Sequence, residues 1–229
     1  MSARTQAGSV RMSLVGLGLG CWAAAIALYV VAVRTAPGRL ADDAAFQQLR
    51  DALSTRSWIP DGSGLAAAQL TLLVAGAGVM CATCLVNRWS PRTTAAALVL
   101  GCVPGALADV LKGALPRPTS PVEFAAHNSF PSRTVAAFAG LAAALTFVAN
   151  SRLQQGIATA AWTGTGLVSL VVIRAHWHRP SDVVGALLIA VGAWAIIAGL
   201  VAPYARLSHR GQPSRSRAGG PVTEPAIPR

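Results

Sequence analysis

The chain has 229 residues, of which 53% are hydrophobic and only 12% are charged, and its mean hydropathy is +0.51. Soluble domains carry about 25% charged residues, so this composition excludes an ordinary soluble protein and indicates a membrane domain. The formal net charge of +11 favours contact with anionic membrane lipids over nucleic-acid binding, because the basic residues flank apolar segments. We expect membrane lipids and no nucleic acid among the partners, and the sequence leaves the oligomeric state open.

Six apolar segments predict membrane-spanning helices. They cover about residues 13–33, 65–86, 94–111, 134–149, 157–173 and 183–202. A bilayer span takes about 20 apolar residues, so the fourth and fifth segments, with about sixteen each, are short for a span. The pattern predicts an all-α integral membrane protein with a six-transmembrane-helix domain over residues 13–202.

The segments outside these spans determine the predicted topology. Residues 1–12 and the tail 203–229 are placed in the cytoplasm, because basic residues next to a span stay inside. The tail is rich in Ser, Gly, Pro and Arg, which is typical of a disordered segment. Both termini are then cytoplasmic in a multi-pass protein of the cell membrane. Segment 34–64 falls outside, and the apolar rhythm of residues 41–55 predicts a short helix over the outer face.

Three polar segments interrupt the apolar pattern. The first polar segment is residues 112–118, the second is residues 128–133 and the third is residues 178–182. If the spans alternate in direction, all three polar segments reach the same membrane face, which is the outer one. Cations, a histidine and helix N-termini at one membrane surface are suited to phosphate chemistry.

The third polar segment carries the clearest catalytic pattern. Asp182 follows His178 by four residues, so its carboxylate can accept a hydrogen bond from one imidazole nitrogen. The other nitrogen is then free to attack phosphorus. Pro180 in this segment and Pro131 in the second, each followed by a serine, are typical of helix starts, where free N–H groups bind phosphate.

These residues resemble the motifs of the type-2 phosphatidic acid phosphatase family, the membrane branch of a superfamily that also holds vanadium haloperoxidases. The family's motifs are Lys-x6-Arg-Pro, Pro-Ser-Gly-His and Ser-Arg-x5-His-x3-Asp, and the resemblance covers roughly residues 65–200. Lys112 matches the start of the first motif, Pro131-Ser132 the start of the second, and His178 with Asp182 the end of the third.

The resemblance implies a fold, a reaction and roles for individual residues. It implies a six-helix membrane bundle and a lipid phosphatase in which His178 is the nucleophile, forming a phosphohistidine, and Asp182 orients it. Lys112, Arg117 and Ser132 would hold the phosphate oxygens. The family needs no metal or other cofactor, so the resemblance implies none here.

The first and third motifs are incomplete. The first is two residues short before Arg117, and Val172 occupies the position of the third-motif arginine. Arg174 is a candidate to supply that missing charge. His176 is an alternative to His178 as the nucleophile.

The second motif departs most from the family, because Arg133 and Thr134 stand where the family has Gly-His. That histidine protonates the leaving oxygen, and loss of a general acid costs about 10²–10⁴ in rate. Arg133 adds a charge that can bind phosphate, but it donates no proton at neutral pH. His127 or His176 could stand in as the acid. A diphosphate releases phosphate, a better leaving group than an alkoxide, so a polyprenyl diphosphate is favoured over phosphatidic acid as substrate.

Three functional classes therefore stay open. The first is an active lipid phosphatase that uses His178. The second is a family member that has lost catalysis and binds a lipid phosphate or a partner protein. The third is a transporter, whose spans are typically broken near the midplane, and Val103-Pro104-Gly105 is the feature of this sequence that fits it.

Overall fold

The computed structural model describes residues 3–60, 62–118 and 128–201, and its regular elements there are all helices. They are α1 (Ala3–Leu28, continued by the π-helical turn Tyr29–Arg34), α2 (Ala36–Ser54), α3 (Ser63–Val86), α4 (Pro91–Ala114), α5 (Arg133–Val148), α6 (Arg152–Arg174) and α7 (Pro180–Val201). Five helices of the described chain are long and apolar enough to cross a membrane: α1, α3, α4, α6 and α7. The chain is therefore an all-α protein with the helices of a multi-pass membrane protein.

All six predicted apolar segments lie in helices, but two boundaries differ. α1 starts at Ala3 rather than near residue 13, so helix extends through most of the predicted N-terminal segment. α6 starts at Arg152 rather than near residue 157, because Ser151 caps it and Gln154 completes a capping box. The predicted tail 203–229 lies outside the described residues.

The short helix α5 occupies the centre of the bundle, where it packs against α3, α4, α6 and α7. Its small residues Ala136, Ala139, Ala142, Ala143 and Ala144 are all fully buried. Small side chains let helix backbones approach closely, and a Cβ atom on Gly140 would lie 2.7 Å from the backbone oxygen of Leu100. At its far end, the carbonyl of Val148 accepts a hydrogen bond of 3.2 Å from the Trp89 indole, just before α4. With 16 residues, α5 therefore reaches from one end of the bundle to the other.

Helices α1 and α7 form the most extensive pair in the bundle. They touch at glycines, because a Cβ atom on Gly18 would lie 2.7 Å from the backbone oxygen of Gly192. The indole of Trp22 donates a 3.2 Å hydrogen bond to the carbonyl of Ile189. This contact holds the N-terminal half of α7 in place, and that half begins at the third polar segment.

Helix α2 lies across the end of the bundle at which α7 begins, as the apolar rhythm of residues 41–55 predicted. Thr35 caps it by accepting a 3.0 Å hydrogen bond from the amide of Gly38, so it starts before residue 41. Phe46 and Leu53 are buried in a cluster with residues of α6, among them Val171. The helix therefore covers the end of the bundle at which α7 begins, with its apolar face towards α6.

Helix α4 continues through Pro104, which is buried. Pro104 and Gly105 pack against α5, and a Cβ atom on Gly105 would lie 3.2 Å from that of Ala137. The Pro-Gly pair therefore lies at a contact between helices. α4 is continuous there, whereas the spans of a transporter are typically broken near the middle of the membrane.

Candidate functional site

One end of the bundle brings together all three polar segments, and we call it the polar end. Arg117 of the first segment donates to the Asp182 carboxylate of the third with a 3.0 Å hydrogen bond. The backbone amide of Ser132 in the second segment donates to the backbone oxygen of Asp182 at 2.9 Å. Asp182 is therefore the residue at which the three segments meet.

Asp182 and His178 form a buried pair at the start of α7. The Asp182 side chain is fully buried, and its Oδ2 lies 3.6 Å from His178 Nδ1. The same Oδ2 accepts a 2.9 Å hydrogen bond from the backbone amide of Arg179, which fixes the carboxylate on the first turn of the helix. His178 Nδ1 has no hydrogen-bond partner among the described residues, so this nitrogen faces the carboxylate alone. The arrangement directs Nε2 away from Asp182, as a nucleophilic imidazole requires.

Arg117 links the polar segments through three contacts. Its Nη1 donates to Ser129 Oγ at 2.8 Å as well as to Asp182, and its Nη2 lies 3.6 Å from a carboxylate oxygen of Asp42. The Arg117 side chain is only 7% exposed. A guanidinium buried among carboxylates is stabilised by them. In this arrangement the charge of Arg117 is therefore paired with the carboxylates of Asp182 and Asp42.

Two aspartates of α2, absent from the sequence-based prediction, complete the polar end. Asp42 Oδ2 accepts a 2.6 Å hydrogen bond from Ser181 Oγ, and its Oδ1 accepts a 3.1 Å bond from the Ser181 amide. The neighbouring Asp43 pairs with the guanidinium of Arg179. Both carboxylates are buried, so α2 is attached to the start of α7 by charged and hydrogen-bonded contacts.

Acidic and basic side chains are matched in number at the polar end. The three buried carboxylates, Asp42, Asp43 and Asp182, face the guanidinium groups of Arg117 and Arg179. The half-buried Lys112 lies within electrostatic range of Asp182 and supplies a third positive charge. Three acidic side chains therefore face three basic ones around His178.

Burial makes ionisation of Asp42 less favourable than it is in water. Desolvation raises the pKa of its carboxyl above the ordinary value of 3.8, and the nearby charge of Asp182 acts in the same direction. The hydrogen bonds from Ser181 and the charge of Arg117 oppose this rise in pKa but do not cancel it.

The second polar segment begins α5, as its Pro-Ser pair predicted. Ser132 is buried and caps the helix, its Oγ accepting a 3.3 Å hydrogen bond from the amide of Val135. Arg133 is 60% exposed and pairs with Asp109 at 3.2 Å. Thr134, the next residue, is buried. The first residue of α5 is therefore tied to α4 through Asp109.

Two of the auxiliary residues that the sequence suggested, Arg174 and His176, make contacts with residues other than His178 and Asp182. Arg174 donates to the backbone oxygens of Arg56, at 3.0 Å, and Ile59, and so supports the α2–α3 connection. The ring of His176 meets Phe46 edge-on, with centroids 5.9 Å apart. His127 lies outside the described residues.

The contacts of α2 left only a weak signal in the sequence. The chain has just eight acidic residues, and two of them are adjacent at positions 42 and 43. An acidic pair in a helix predicted to lie over basic polar segments is a candidate to contact them. Nothing in the sequence around Ser181 indicates that it bonds to Asp42.

No family model, curated protein or solved structure matches the chain. The function therefore rests on the residues themselves: a buried histidine–aspartate pair at the point where three polar segments of an apolar helix bundle meet.

Proposed function

We propose that the chain is a membrane lipid phosphatase of the type-2 phosphatidic acid phosphatase kind. It hydrolyses a lipid phosphate or polyprenyl diphosphate at the outer membrane face through a phosphohistidine intermediate. The observation that carries this proposal is the 3.6 Å contact between His178 Nδ1 and the fully buried Asp182, at the end of the bundle where the polar segments meet. In this proposal α5 serves as the sixth span.

The proposed reaction has two steps on His178. Nε2 attacks the phosphorus, the P–O bond to the leaving group breaks, and that oxygen leaves with the bonding electrons. Asp182 stabilises the positive charge that develops on the imidazole. Water then attacks the phosphohistidine, the P–N bond breaks, and inorganic phosphate departs while the imidazole is restored.

The phosphate oxygens are held by Lys112, Arg117 and Ser132 in this proposal. Lys112 is half-buried at the end of α4, close enough to Asp182 to interact with its charge. Arg117 is closer to Asp182, at 3.0 Å, than to Asp42, at 3.6 Å. Its weaker contact with Asp42 is the one that a bound phosphate oxygen can replace most readily. Arg133, at the start of α5, adds a positive charge beside them.

The leaving group determines which substrate this site favours. Thr134 offers no proton to an alkoxide, and an arginine side chain is too weak an acid to supply one. Without a general acid the cleavage of a phosphomonoester loses about 10²–10⁴ in rate. A polyprenyl diphosphate attacked at its terminal phosphorus expels the polyprenyl monophosphate, a better leaving group than an alkoxide, so we expect it to be the better substrate.

The second candidate function is binding without turnover, by a catalytically impaired family member that holds a lipid phosphate or a partner protein. The contacts of the cations favour it. Arg117 is held by two carboxylates and Arg133 pairs with Asp109, so both are engaged with the protein's own acids.

The proposed location is the cell membrane, with both termini in the cytoplasm and the polar end outside. Arg88, Arg92 and Arg152 flank the opposite ends of α3, α4 and α6, and this side would face the cytoplasm under the positive-inside rule. A lipid headgroup of the outer leaflet would then reach His178.

Phosphate release by the purified full-length protein tests the proposal. Farnesyl diphosphate and phosphatidic acid are compared in detergent micelles, with and without vanadate, which mimics the transferring phosphoryl group. Vanadate-sensitive release that is faster from the diphosphate supports the proposal. Vanadate binding without release of phosphate supports the second candidate function.

A further inference from the structure

An apolar cavity of about 490 Å³ lies between α3, α5 and α6. It follows one face of α3 from Gly64 to Val79, which is about 22 Å at the helical rise of about 1.5 Å per residue. On the other side it is bounded by residues such as Leu145 of α5 and Gly164 of α6. Its length is roughly three quarters of the hydrocarbon core of a bilayer, which is about 30 Å thick.

The cavity exists because α3 touches α5 closely at few positions. One of these is Gly76, where a Cβ atom would overlap the side chain of Leu141. At Gly64 and Gly164, by contrast, an added Cβ atom would have nothing within 4 Å. Leu72 and Leu167 line the cavity and are also 48% and 40% exposed, so it opens sideways to the surroundings of the bundle.

The end of the cavity nearest Gly64 and Val171 is adjacent to the polar end. Val171 lines the cavity, and the carbonyl of the next residue, Val172, accepts a 3.2 Å hydrogen bond from the backbone amide of His178. At α3, a Cβ atom on Gly62 would lie 3.6 Å from the ring of Trp177, the residue before His178. A molecule lying in the cavity would therefore have one end beside the segment that carries His178.

The size of the cavity indicates what kind of molecule can occupy it. The cavity has a volume of about 490 Å³ over a length of about 22 Å. An α-helix about 10 Å across would take up roughly 1,700 Å³ over that length and does not fit. A single hydrocarbon chain does, because carbon atoms pack about 4 Å apart. An apolar cavity in a membrane stays free of water. The hydrocarbon chains of the surrounding lipids are the apolar molecules that can enter it.

We propose that this cavity binds the hydrocarbon chain of the lipid substrate and so positions its phosphate at His178; this inference rests on the proposed function. Lipid chains are as apolar as leucine, so burying one here gains little over leaving it in the bilayer. The benefit is positional: a chain held between α3 and α6 fixes the depth and direction of the headgroup. Correct placement of a reacting group is worth orders of magnitude in rate, and a displacement of about 1 Å can cost about 10²-fold.

The test uses two phenylalanine variants of α6 that differ only in the face they occupy. Gly164→Phe fills the cavity, while Gly166→Phe, two residues on, lies on an exposed face outside it, and neither added Cβ atom meets an atom within 4 Å. Full-length protein is assayed with farnesyl diphosphate and with isopentenyl diphosphate, which has the same headgroup on a much shorter chain. We expect Gly164→Phe to lower kcat/KM for the long substrate by at least about tenfold and to leave the short one within about twofold. Equal effects of the two variants, or equal losses on both substrates, would overturn the inference.

A second readout separates this inference from the proposed function. A lipid phosphate with a photoreactive group on its chain is cross-linked to the wild-type protein and to both variants, and the labelled peptides are mapped. Labelling that concentrates on cavity residues such as Leu72 and falls in Gly164→Phe supports the cavity even if no variant releases phosphate. In that event the phosphatase proposal alone fails. Labelling spread over the exposed residues Leu70 and Val74, and unchanged in Gly164→Phe, shows bulk lipid contact and overturns the inference.

Discussion

Asp42 and Ser181 are 139 positions apart and share two hydrogen bonds, one to the serine hydroxyl at 2.6 Å and one to its amide at 3.1 Å. Through this contact the carboxylate of α2 satisfies a free N–H group at the start of α7, which a helix cannot satisfy internally. Ser181 lies directly before Asp182, so α2 supports the turn that presents the carboxylate to His178. The placement of α2 and the geometry of the site are therefore linked.

Removal of this carboxylate should destabilise the protein. In Asp42→Ala the buried hydroxyl and amide of Ser181 lose their acceptor, and we expect a loss of about 1–3 kcal/mol in unfolding free energy. Asp51→Ala is the matched control on the same helix, because Asp51 is 68% exposed and pairs with its neighbour Arg50. It should change stability by less than about 0.5 kcal/mol. Thermal unfolding in detergent measures both, and equal melting temperatures of the two variants would contradict the role of Asp42.

The raised pKa of Asp42 predicts the sign of a pH effect. The unfolded chain releases this proton near the ordinary pKa of 3.8 and the folded chain at a higher pH, so between the two values the folded state binds more protons. Stability contributed by the protonated carboxyl is present below 3.8 and is lost as the pH rises through the folded-state pKa. The melting temperature of the wild type minus that of Asp42→Asn should therefore fall as the pH rises from about 4. A difference that rises with pH over this window would show that the folded-state pKa is lowered.

Introducing the Gly-His pair of the proposed family tests whether a general acid is missing. The double change Arg133→Gly and Thr134→His should raise phosphatidic acid hydrolysis by at least about tenfold if proton donation limits it. Diphosphate hydrolysis should change much less, because its leaving group needs no proton. The single change Arg133→Gly is the control, since it removes the ion pair with Asp109 without adding an acid. If the double variant still binds vanadate but shows no gain, a step other than proton donation limits the rate. The first position to examine would then be Val172, where the proposed family has an arginine.

The orientation is open to a labelling experiment. In a chain whose four native cysteines are replaced by alanine, one cysteine is introduced at Thr55, beside the polar end, or at Asn150, at the opposite end; both positions are exposed. An impermeant thiol reagent applied to intact cells should label the Thr55 variant and spare the Asn150 variant. The reverse pattern would place the polar end in the cytoplasm and exclude an outer-leaflet substrate.

Helix positions could be predicted from the sequence where apolar runs and local capping carry the information. The starts of α5 and α7 were predicted from Pro131-Ser132 and Pro180, and both are confirmed. The start of α6 was missed because its first turn is polar, although Ser151 followed by Gln154 is a local capping signal.

The site was predictable only in part, because its contacts join residues far apart in the chain. The proximity of His178 and Asp182 follows from their spacing at the start of one helix. The partners of Arg117 do not, since Asp182 is 65 positions away and Asp42 belongs to a helix with no motif of its own. Tertiary packing determines which acidic side chain a buried arginine contacts, and this cannot be derived from a single sequence.

The most direct test of the central claim is phosphate release by His178→Ala compared with the wild type and with His176→Ala. His176 is the matched control, because it is exposed and packs on Phe46 two positions away from the proposed nucleophile. The account predicts that His178→Ala abolishes vanadate-sensitive release from farnesyl diphosphate while expression and melting temperature stay close to wild type. Asp182→Asn should retain a small fraction, and His176→Ala should retain nearly all activity. Full activity in His178→Ala, or loss of activity in His176→Ala alone, would contradict the assignment of His178 as the nucleophile.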